Sequence, residues 1–525
     1  MLAAVKSVVL AVFNRSRLWR PAQVQPEARE PSPPPRPPVG LCEFPLELLT
    51  MILEELDWRD VLRVRMVCKV LQGVSKTRSI WLNLCRPHLS PTATAPQTLH
   101  LERPIKLYTS HDLELLFLQL TSADVGWRTD ANAPARKREV ETTYPVKCMH
   151  LVEGGRWLLV ASETGRIVYF DLEASTPTEN ILVPDQFDPF LRDEFDPLAE
   201  IQVVMAFDRD YDSEFLAFNL AISFTVMTSP PPDPKAQCVQ IWRVELALDD
   251  QQRGVGLTAK LLASFPVEDY LDPILCQSIR GPHIALSFLA PRHTDRQLTF
   301  IIDWKQADGD QTNYPRRLIH PPYGKTPEAI HLLPGNKLFS VGKQVMMIND
   351  YLNIPETTSL PPLRFTDATV LPLWKALDGR FHPESDSISR PFFCSHSIRF
   401  SIRGGDTIHG VIIEYPYNED PVEPLAQVVK LMEKADKHPM HECYGYSKGT
   451  IVKPYGTYLF SYPWPDAQDD APPLLLHTEA SIQHCEFGPL LDEQAGRVAV
   501  SADIASRSKD SRDKVHIWDF ALIYK

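Results

Sequence analysis

From Leu41 to Leu89 the apolar positions recur at helical spacing. Pro45 suits a first helical turn and Glu47 its positive end, and Leu48, Leu49, Ile52, Leu53 and Leu56 then follow on one side. Asp57 caps the next start, and Val61, Leu62, Val64, Val67, Cys68, Leu71 and Val74 carry the apolar pattern onward. Gly73 and Lys76–Ser79 predict a break before Trp81, Leu82 and Leu84. The expectation is three short helices, apolar over more than one face. A segment of ~40 residues seldom folds alone without metal, disulfides or a partner. No metal-ligand or cystine pattern lies here, so a helical partner is the expected cover. Further on, Thr109 with Asp112 resembles a capping box, and Leu113, Leu116, Phe117 and Leu120 predict a connecting helix within 101–120. Ser122–Thr143, with Arg136, Lys137 and Arg138, reads as an exposed crossing loop.

From Tyr144 the pattern changes to short apolar runs separated by turns. Gly155–Leu172 is a hairpin with its turn at Glu163-Thr164-Gly165. Comparable paired runs cover Glu214–Leu246, His283–Trp304, Ala329–Asp350, Ser397–Tyr415, Gly449–Trp464 and His484–Leu522, making roughly seven units. Turns are expected at Pro334-Gly335-Asn336 and at Gly342-Lys343. Their spacing, about 40–60 residues, suits blades with variable loops. Val515–Phe520, Cys238–Val244 and Ile167–Leu172 resemble WD-repeat strand ends, although the Gly-His dipeptide and a regular period are missing. The expected domain is therefore mainly β, a roughly seven-bladed, degenerate β-propeller over 146–525. A leucine-rich solenoid is disfavoured because its LxxLxLxxN period never occurs. Pro424–Asp436 fits a helix or a strand with a turn.

The residues of the first helical stretch resemble the F-box family. Phe44-Pro45 stands for the family's Leu-Pro, Glu47-Leu48-Leu49 for its acidic-then-aliphatic step, and Ile52 with Leu56 for its helix spine. Asp60-Val61-Leu62, Val64-Arg65, Val67-Cys68-Lys69 and Trp81 match the later part, while Phe44 and Leu71 are apolar departures. The resemblance implies a three-helix F-box over 41–89 that docks the Skp adaptor and, through it, a cullin. The adaptor-binding residues it implies are Phe44, Pro45, Leu48, Leu49, Ile52, Leu53, Leu56, Val61, Leu62, Val64, Val67, Cys68, Leu71 and Trp81. The chain would then be an α+β multidomain protein: an arm over 1–40, the F-box, a connector over 90–145, and the propeller. Its role would be the substrate-recognition subunit of a Skp–cullin–F-box ubiquitin ligase that holds a client protein. An F-box scaffold without a ubiquitination role, and a propeller-fold hydrolase with an accessory helical module, are the alternatives.

Composition narrows this further. A net charge of -13 and the acidic run Asp188–Glu200 oppose phosphate, so no nucleic-acid partner is expected. Forty-eight prolines disfavour long helices. Pro31–Gly40 reads as a stiff extended linker or a ligand for a proline-reading domain. Lys6, Arg15, Arg17 and Arg20 make the start basic and acid-free, fitting a frayed arm or a mitochondrial targeting segment. Leu2–Phe13 is too short and too interrupted to span a bilayer, which takes about 20 apolar residues. Nine scattered cysteines without a CxxC fit reduced thiols in the cytoplasm or nucleus. His438, His441 and Cys443, with Cys394 and His396, contain zinc-ligand chemistry at a spacing that matches no common finger. No phosphate loop and no GxSxG elbow occur, so neither cofactor nor catalytic residue is expected. Trp157, Trp242, Trp304, Trp374, Trp464 and Trp518 are read as blade packing.

Overall fold

A computed structural model describes residues 40–128, 134–186, 200–227, 237–267, 274–288, 298–309, 311–319, 327–342, 345–358, 371–377, 388–417, 424–433, 441–453, 456–466, 474–478, 488–502 and 513–523. The basic start, the proline linker, the acidic run before Glu200, most of the SPPPDPKAQ loop, Lys343 and His438 lie outside the described residues. Two compact units are formed: residues up to Pro87 with Tyr108–Phe117, and His88–Leu107 with Leu118–Lys525.

The first unit contains four short helices rather than the expected three: α1 (Leu46–Glu54), α2 (Trp58–Arg65), α3 (Lys69–Val74) and α4 (Arg78–Cys85). The additional break comes at Cys68, which is fully extended (φ -158°, ψ 165°) and so restarts the chain between α2 and α3. Pro45 precedes α1, and the Asp57 carboxylate caps α2 by accepting from the Arg59 and Asp60 N–H groups. A longer helix, α5 (Ser110–Arg128), contributes its beginning to this unit. Thr109 and Asp112 form the expected reciprocal cap: the Thr109 N–H donates to the Asp112 carboxylate at 2.9 Å, and the Asp112 N–H to the Thr109 hydroxyl at 3.2 Å.

The second unit is a seven-bladed β-propeller, each blade an antiparallel sheet. In blade order the sheets are Val146–Leu151, Trp157–Ser162, Ile167–Asp171 and Asn180–Val183; then Glu200–Arg209, Ala217–Met227, Gln237–Leu248 and Gly254–Pro266; then Ile274–Arg280, His283–Phe288, Leu298–Asp303 and Arg316–Ile319, with Glu356–Thr357 added at the edge. The fourth pairs Pro327–Leu333, Lys337–Gly342, Val345–Asp350 and Trp374–Leu377. The fifth pairs Phe392–Phe393, Ser397–Gly404, Thr407–Glu414 and Ala426–Glu433, so the ambiguous segment after Pro424 is a strand. The sixth pairs His441–Tyr444, Lys448–Lys453, Gly456–Ser461 and Leu474–Thr478. The seventh takes Leu490–Asp492, Arg497–Ala502 and Lys514–Asp519 from the end of the chain and Arg136–Glu141 from before the first blade. Each of the seven paired runs read from the sequence falls within one blade. The expected turn at Gly335-Asn336 is present, both residues in the left-handed region.

Two expectations for 122–143 are overturned. The helix continues to Arg128, and 136–141 is a strand whose Arg138 lies opposite Ile517 and whose Val140 lies opposite Val515. The helix persists because Trp127 packs on Phe520 among Val452, Leu459, Val498 and Trp518, and its indole N–H donates to the Phe460 carbonyl. Gly126 is needed for that approach, since a Cβ there would stand 1.8 Å from the Phe520 carbonyl oxygen.

Apolar clusters bridge neighbouring blades all the way round. Leu159 and Leu220 share one, Ile241 and Phe288 the next, and Val140, Val168, Ala499 and Ile517 join the last blade to the first. Trp157, Trp304, Trp464 and Trp518 are buried in such clusters, while Trp242 and Trp374 are partly buried against them. The last junction also holds a buried charge. Asp519 is fully enclosed and accepts from Arg138 at 2.6 Å and from the Arg497 guanidinium. Those two arginines reach on to the Leu172 and Gly155 carbonyls of the first blade. Removing one partner of such a pair strands the others, at about 3–5 kcal/mol. Asp519→Asn is therefore expected to lower propeller stability by that order in denaturant titration. Lys514→Ala, which removes the exposed pair with Glu139, should leave the same titration unchanged.

Candidate functional site

The helical unit has a finished interior. Leu49, Leu53, Val61, Val64, Leu71, Val74, Ile80 and Trp81 are buried, and Trp81 donates its indole N–H to the Ser75 carbonyl at 2.9 Å. The start of α5 completes the cover. Phe117 lies tilted against Trp81, Leu113 is buried, and Glu114 pairs with Arg65 at 2.5 Å. Arg65 also donates to the Ser75 hydroxyl, so the guanidinium locks the α2, α3 and α5 segments together.

The fourteen residues implied by the F-box resemblance therefore divide. Leu49, Leu53, Val61, Val64, Leu71 and Trp81 are core of the unit, while Ile52, Leu56, Leu62 and Cys68 are partly covered. Phe44, Pro45, Leu48 and Val67 face solvent. The sequence reading missed Leu46, Met51, Met66 and Val70, which are exposed as well. Of eighteen large apolar side chains exposed among the described residues, seven fall between Phe44 and Val70. Met66 is 85% exposed and Val67 60%. The two stretches that carry this surface, before and along α1 and between α2 and α3, are brought together where the Cys42 and Cys68 sulfurs meet at 3.4 Å.

On the propeller, residues 92–103 lie along the rim that carries the turns between first and second strands. Ser395 of the fifth blade donates to the Thr92 carbonyl, Arg399 to that of Ala93, and Tyr446 of the sixth to that of Thr94. The His100 N–H donates to Gln494 of the seventh at 2.7 Å. Glu102 accepts from Trp157 and Arg156 of the first blade, and its carbonyl accepts from Leu216 of the second. One strap thus touches five consecutive blades.

Beneath it, Glu153 of the first blade meets Arg209 at 3.0 Å, His100 at 3.4 Å and Arg390 at 3.3 Å, and accepts from the Tyr211 hydroxyl. Arg390 belongs to the fifth blade, with the sixth and seventh standing between it and the first, so this pair joins blades that are not neighbours. Burial by itself raises the Glu153 carboxyl, but His100, Arg390 and Arg209 outweigh it and hold the group well below the usual carboxylate range. The strap and the Glu153–Arg390 pair lie at the same end of the propeller. Nothing in the local pattern of 90–103 announces it, because the segment is held by carbonyls and single polar side chains rather than by a periodic apolar face.

His441 opens the first strand of the sixth blade, and Cys394 is buried with its thiol pushed up by that burial. No group of three or more His, Cys, Asp or Glu able to hold a metal occurs among the described residues. No helix among them is long and apolar enough to cross a membrane.

No protein-family model matches the chain, and no curated protein matches it. Among solved structures it is similar to the β-propeller domain of Cps50 (Swd1) from Myceliophteria thermophila, at 11% identity over 73% of this chain and 99% of that one, TM-score 0.40. It is also similar to U3-55K, at 9% identity over 74% and 99%, TM-score 0.39. The WD40 domain of SCAP from fission yeast aligns at 10% identity over 72% and 84%, TM-score 0.35. The propeller assignment rests on the strand pairing itself.

Two histidines packed on aromatic rings of the neighbouring blade, His150 on Phe207 and His331 on Phe400, give a pH signature. Burial, with Arg390 nearby, pushes the His150 imidazole from its ordinary 6.5 down to about 3, and burial pushes His331 down to about 4. Both stay neutral when folded, whereas the unfolded chain binds protons once pH falls below 6.5, so folding stability falls with pH from there. Glu153 adds to the loss only below about pH 4.3, where an unfolded carboxyl protonates. Replacing His150 by Phe, which keeps the stack on Phe207, should flatten the stability slope between about pH 4.5 and 6.5 in denaturant titrations.

Proposed function

We propose that the chain is the substrate-recognition subunit of a Skp–cullin–F-box ubiquitin ligase, its helical unit docking the Skp adaptor and its propeller holding a client protein. The observation that carries the first half is the surplus of apolar surface on a small unit whose interior is already closed. Phe44, Leu46, Leu48, Met51, Met66, Val67 and Val70 leave 40–85% of their surface exposed. Each contributes about 1.5–3 kcal/mol if a partner buries it, so a few offset the entropic cost of association. Three of the seven, Phe44, Leu48 and Val67, are among the F-box-like residues, and the other four are not.

Support for the second half is the propeller, a rigid scaffold with variable loops at both rims. The strap 92–103 and the Glu153–Arg390 pair occupy the rim of the first-to-second-strand turns. The client is therefore assigned to the opposite rim, which carries the Glu163–Arg166 and Gly405-Asp406 turns. In this reading the chain transfers nothing itself. It raises the client's local concentration beside the ubiquitin-charged enzyme.

Leu48→Asp with Val67→Asp should abolish copurification with the Skp adaptor while the far-ultraviolet circular dichroism stays unchanged, because both side chains already face water. Retained copurification would rule the docking surface out. Client half-life after depletion of the chain separates a ligase receptor, where it lengthens, from a scaffold, where it does not.

A further inference from the structure

Cys42 and Cys68 are twenty-six residues apart in sequence, and their sulfurs are in contact at 3.4 Å on the solvent side of the helical unit. Cys42 is exposed and Cys68 partly so, whereas Cys85 and Cys394 are buried. The two differ in character. The backbone N–H of Leu71 and the contact with Cys42 hold the Cys68 pKa below the ordinary value, while the same thiol contact raises Cys42. Burial instead pushes Cys85 up to about 12 and Cys148 and Cys238 up to about 11. A thiolate is the nucleophile in oxidation, so exposure sets this pair apart from the buried thiols and the lowered pKa favours Cys68 within it.

We propose that Cys42 and Cys68 are a redox pair, closed to a disulfide by a peroxide-class oxidant, with Cys68 the attacking sulfur and Cys42 the resolving one. The Cys68 thiolate attacks one peroxide oxygen. An S–O bond forms, the O–O bond breaks, and the departing hydroxide takes a proton to leave as water. The Cys42 sulfur then attacks the Cys68 sulfenic acid: the S–S bond forms, the S–O bond breaks, and the Cys42 proton leaves with the second water. Two thiols lose two electrons in all, and the peroxide is reduced to two waters. A thiol reductant restores the pair.

The position gives the bond a consequence, which rests on the docking surface argued above. Cys42 lies two residues before Phe44, and Cys68 lies directly after Met66 and Val67. Drawing the sulfurs from contact to bonding distance moves both stretches and reshapes the apolar surface between them. The oxidised chain is therefore expected to bind the Skp adaptor at least fivefold more weakly than the reduced chain.

The full chain, reduced and then titrated with hydrogen peroxide, is digested without reductant and read by mass spectrometry. The expected product is a Cys42–Cys68 linked peptide that forms before the buried thiols react and disappears with dithiothreitol. In Cys42→Ser the Cys68 sulfenic acid should accumulate and be trapped by dimedone, and in Cys68→Ser thiol loss at low peroxide should slow. Oxidation of Cys85 at the same rate, or a Cys68 sulfenic acid persisting in the unaltered chain without the linkage, would overturn the pair. Binding to the purified adaptor is measured separately in each state. No binding in the reduced state would sink the adaptor reading and leave the disulfide standing. Equal binding in both states would remove the regulatory consequence.

Discussion

A ring of sheets is stable only if its last sheet meets its first, and in this chain that junction depends on one buried carboxylate. Asp519 ends the strand Lys514–Asp519 inside a dry interface, which would be prohibitive for a lone charge. Arg138 and Arg497 make it tolerable, and both then extend to carbonyls of the first blade. The carboxylate thus orients two long side chains that bridge the gap between chain end and chain beginning. The strand carrying Arg138 must come from before the first blade, so the seventh sheet cannot be completed until both ends of the domain have been made. This is a non-local closure in sequence, and it removes the exposed strand edge that an open fan of sheets would present.

Closure also explains how 92–103 is used. The segment precedes the closing strand, and it is spent on the rim, from Ser395 through Gln494 to Leu216. The Arg390 guanidinium reaches Glu153 at the same end from a blade that is not its neighbour. Charges are paired there in a walled-in place, so the cluster costs little while it is complete and much when one member is lost. The rim of first-to-second-strand turns is thus satisfied by its own chain.

How much of this was readable in the sequence differs from segment to segment for physical reasons. The paired inner runs of each blade, such as Trp157–Ser162 with Ile167–Asp171, are buried on both faces and so show as plain apolar stretches. The closing strand RKREVE hides itself. Only Val140 is apolar, and Arg138 is inside because of a partner some 380 residues away in sequence. Gly254–Pro266 is similar, an outer strand with mixed polarity and two glycines early on. The end of α5 was lost because the apolar face after Leu120 thins to Val125 and Trp127, and its fit depends on Phe520. For the helical unit, spacing identified the apolar positions but not which of them turn inward, since three short helices and four read alike until Cys68 is seen extended. Hence Leu49 and Trp81, strong in the pattern, are interior, and Met66 and Leu46, weak in it, are surface.

That division changes the reason for expecting a partner. The sequence suggests a unit too small to cover itself, yet the Trp81 core is sealed by Phe117, Leu113 and the Arg65–Glu114 pair from its own chain. A unit that merely lacked a core would show its apolar residues everywhere, with partly wet interior positions. This one has positions near zero exposure inside and a separate set outside, Phe44 to Met51 and Met66 to Val70. Exposed apolar surface costs a folded chain in solubility and returns nothing to its stability, and among the described residues of this unit it falls in two stretches joined at Cys42 and Cys68. The surface on which the proposed docking rests is therefore an excess left over after folding rather than a deficit in folding itself. A surface of that kind can be covered and uncovered without unfolding the helices beneath it, which is the physical condition the proposed docking sets.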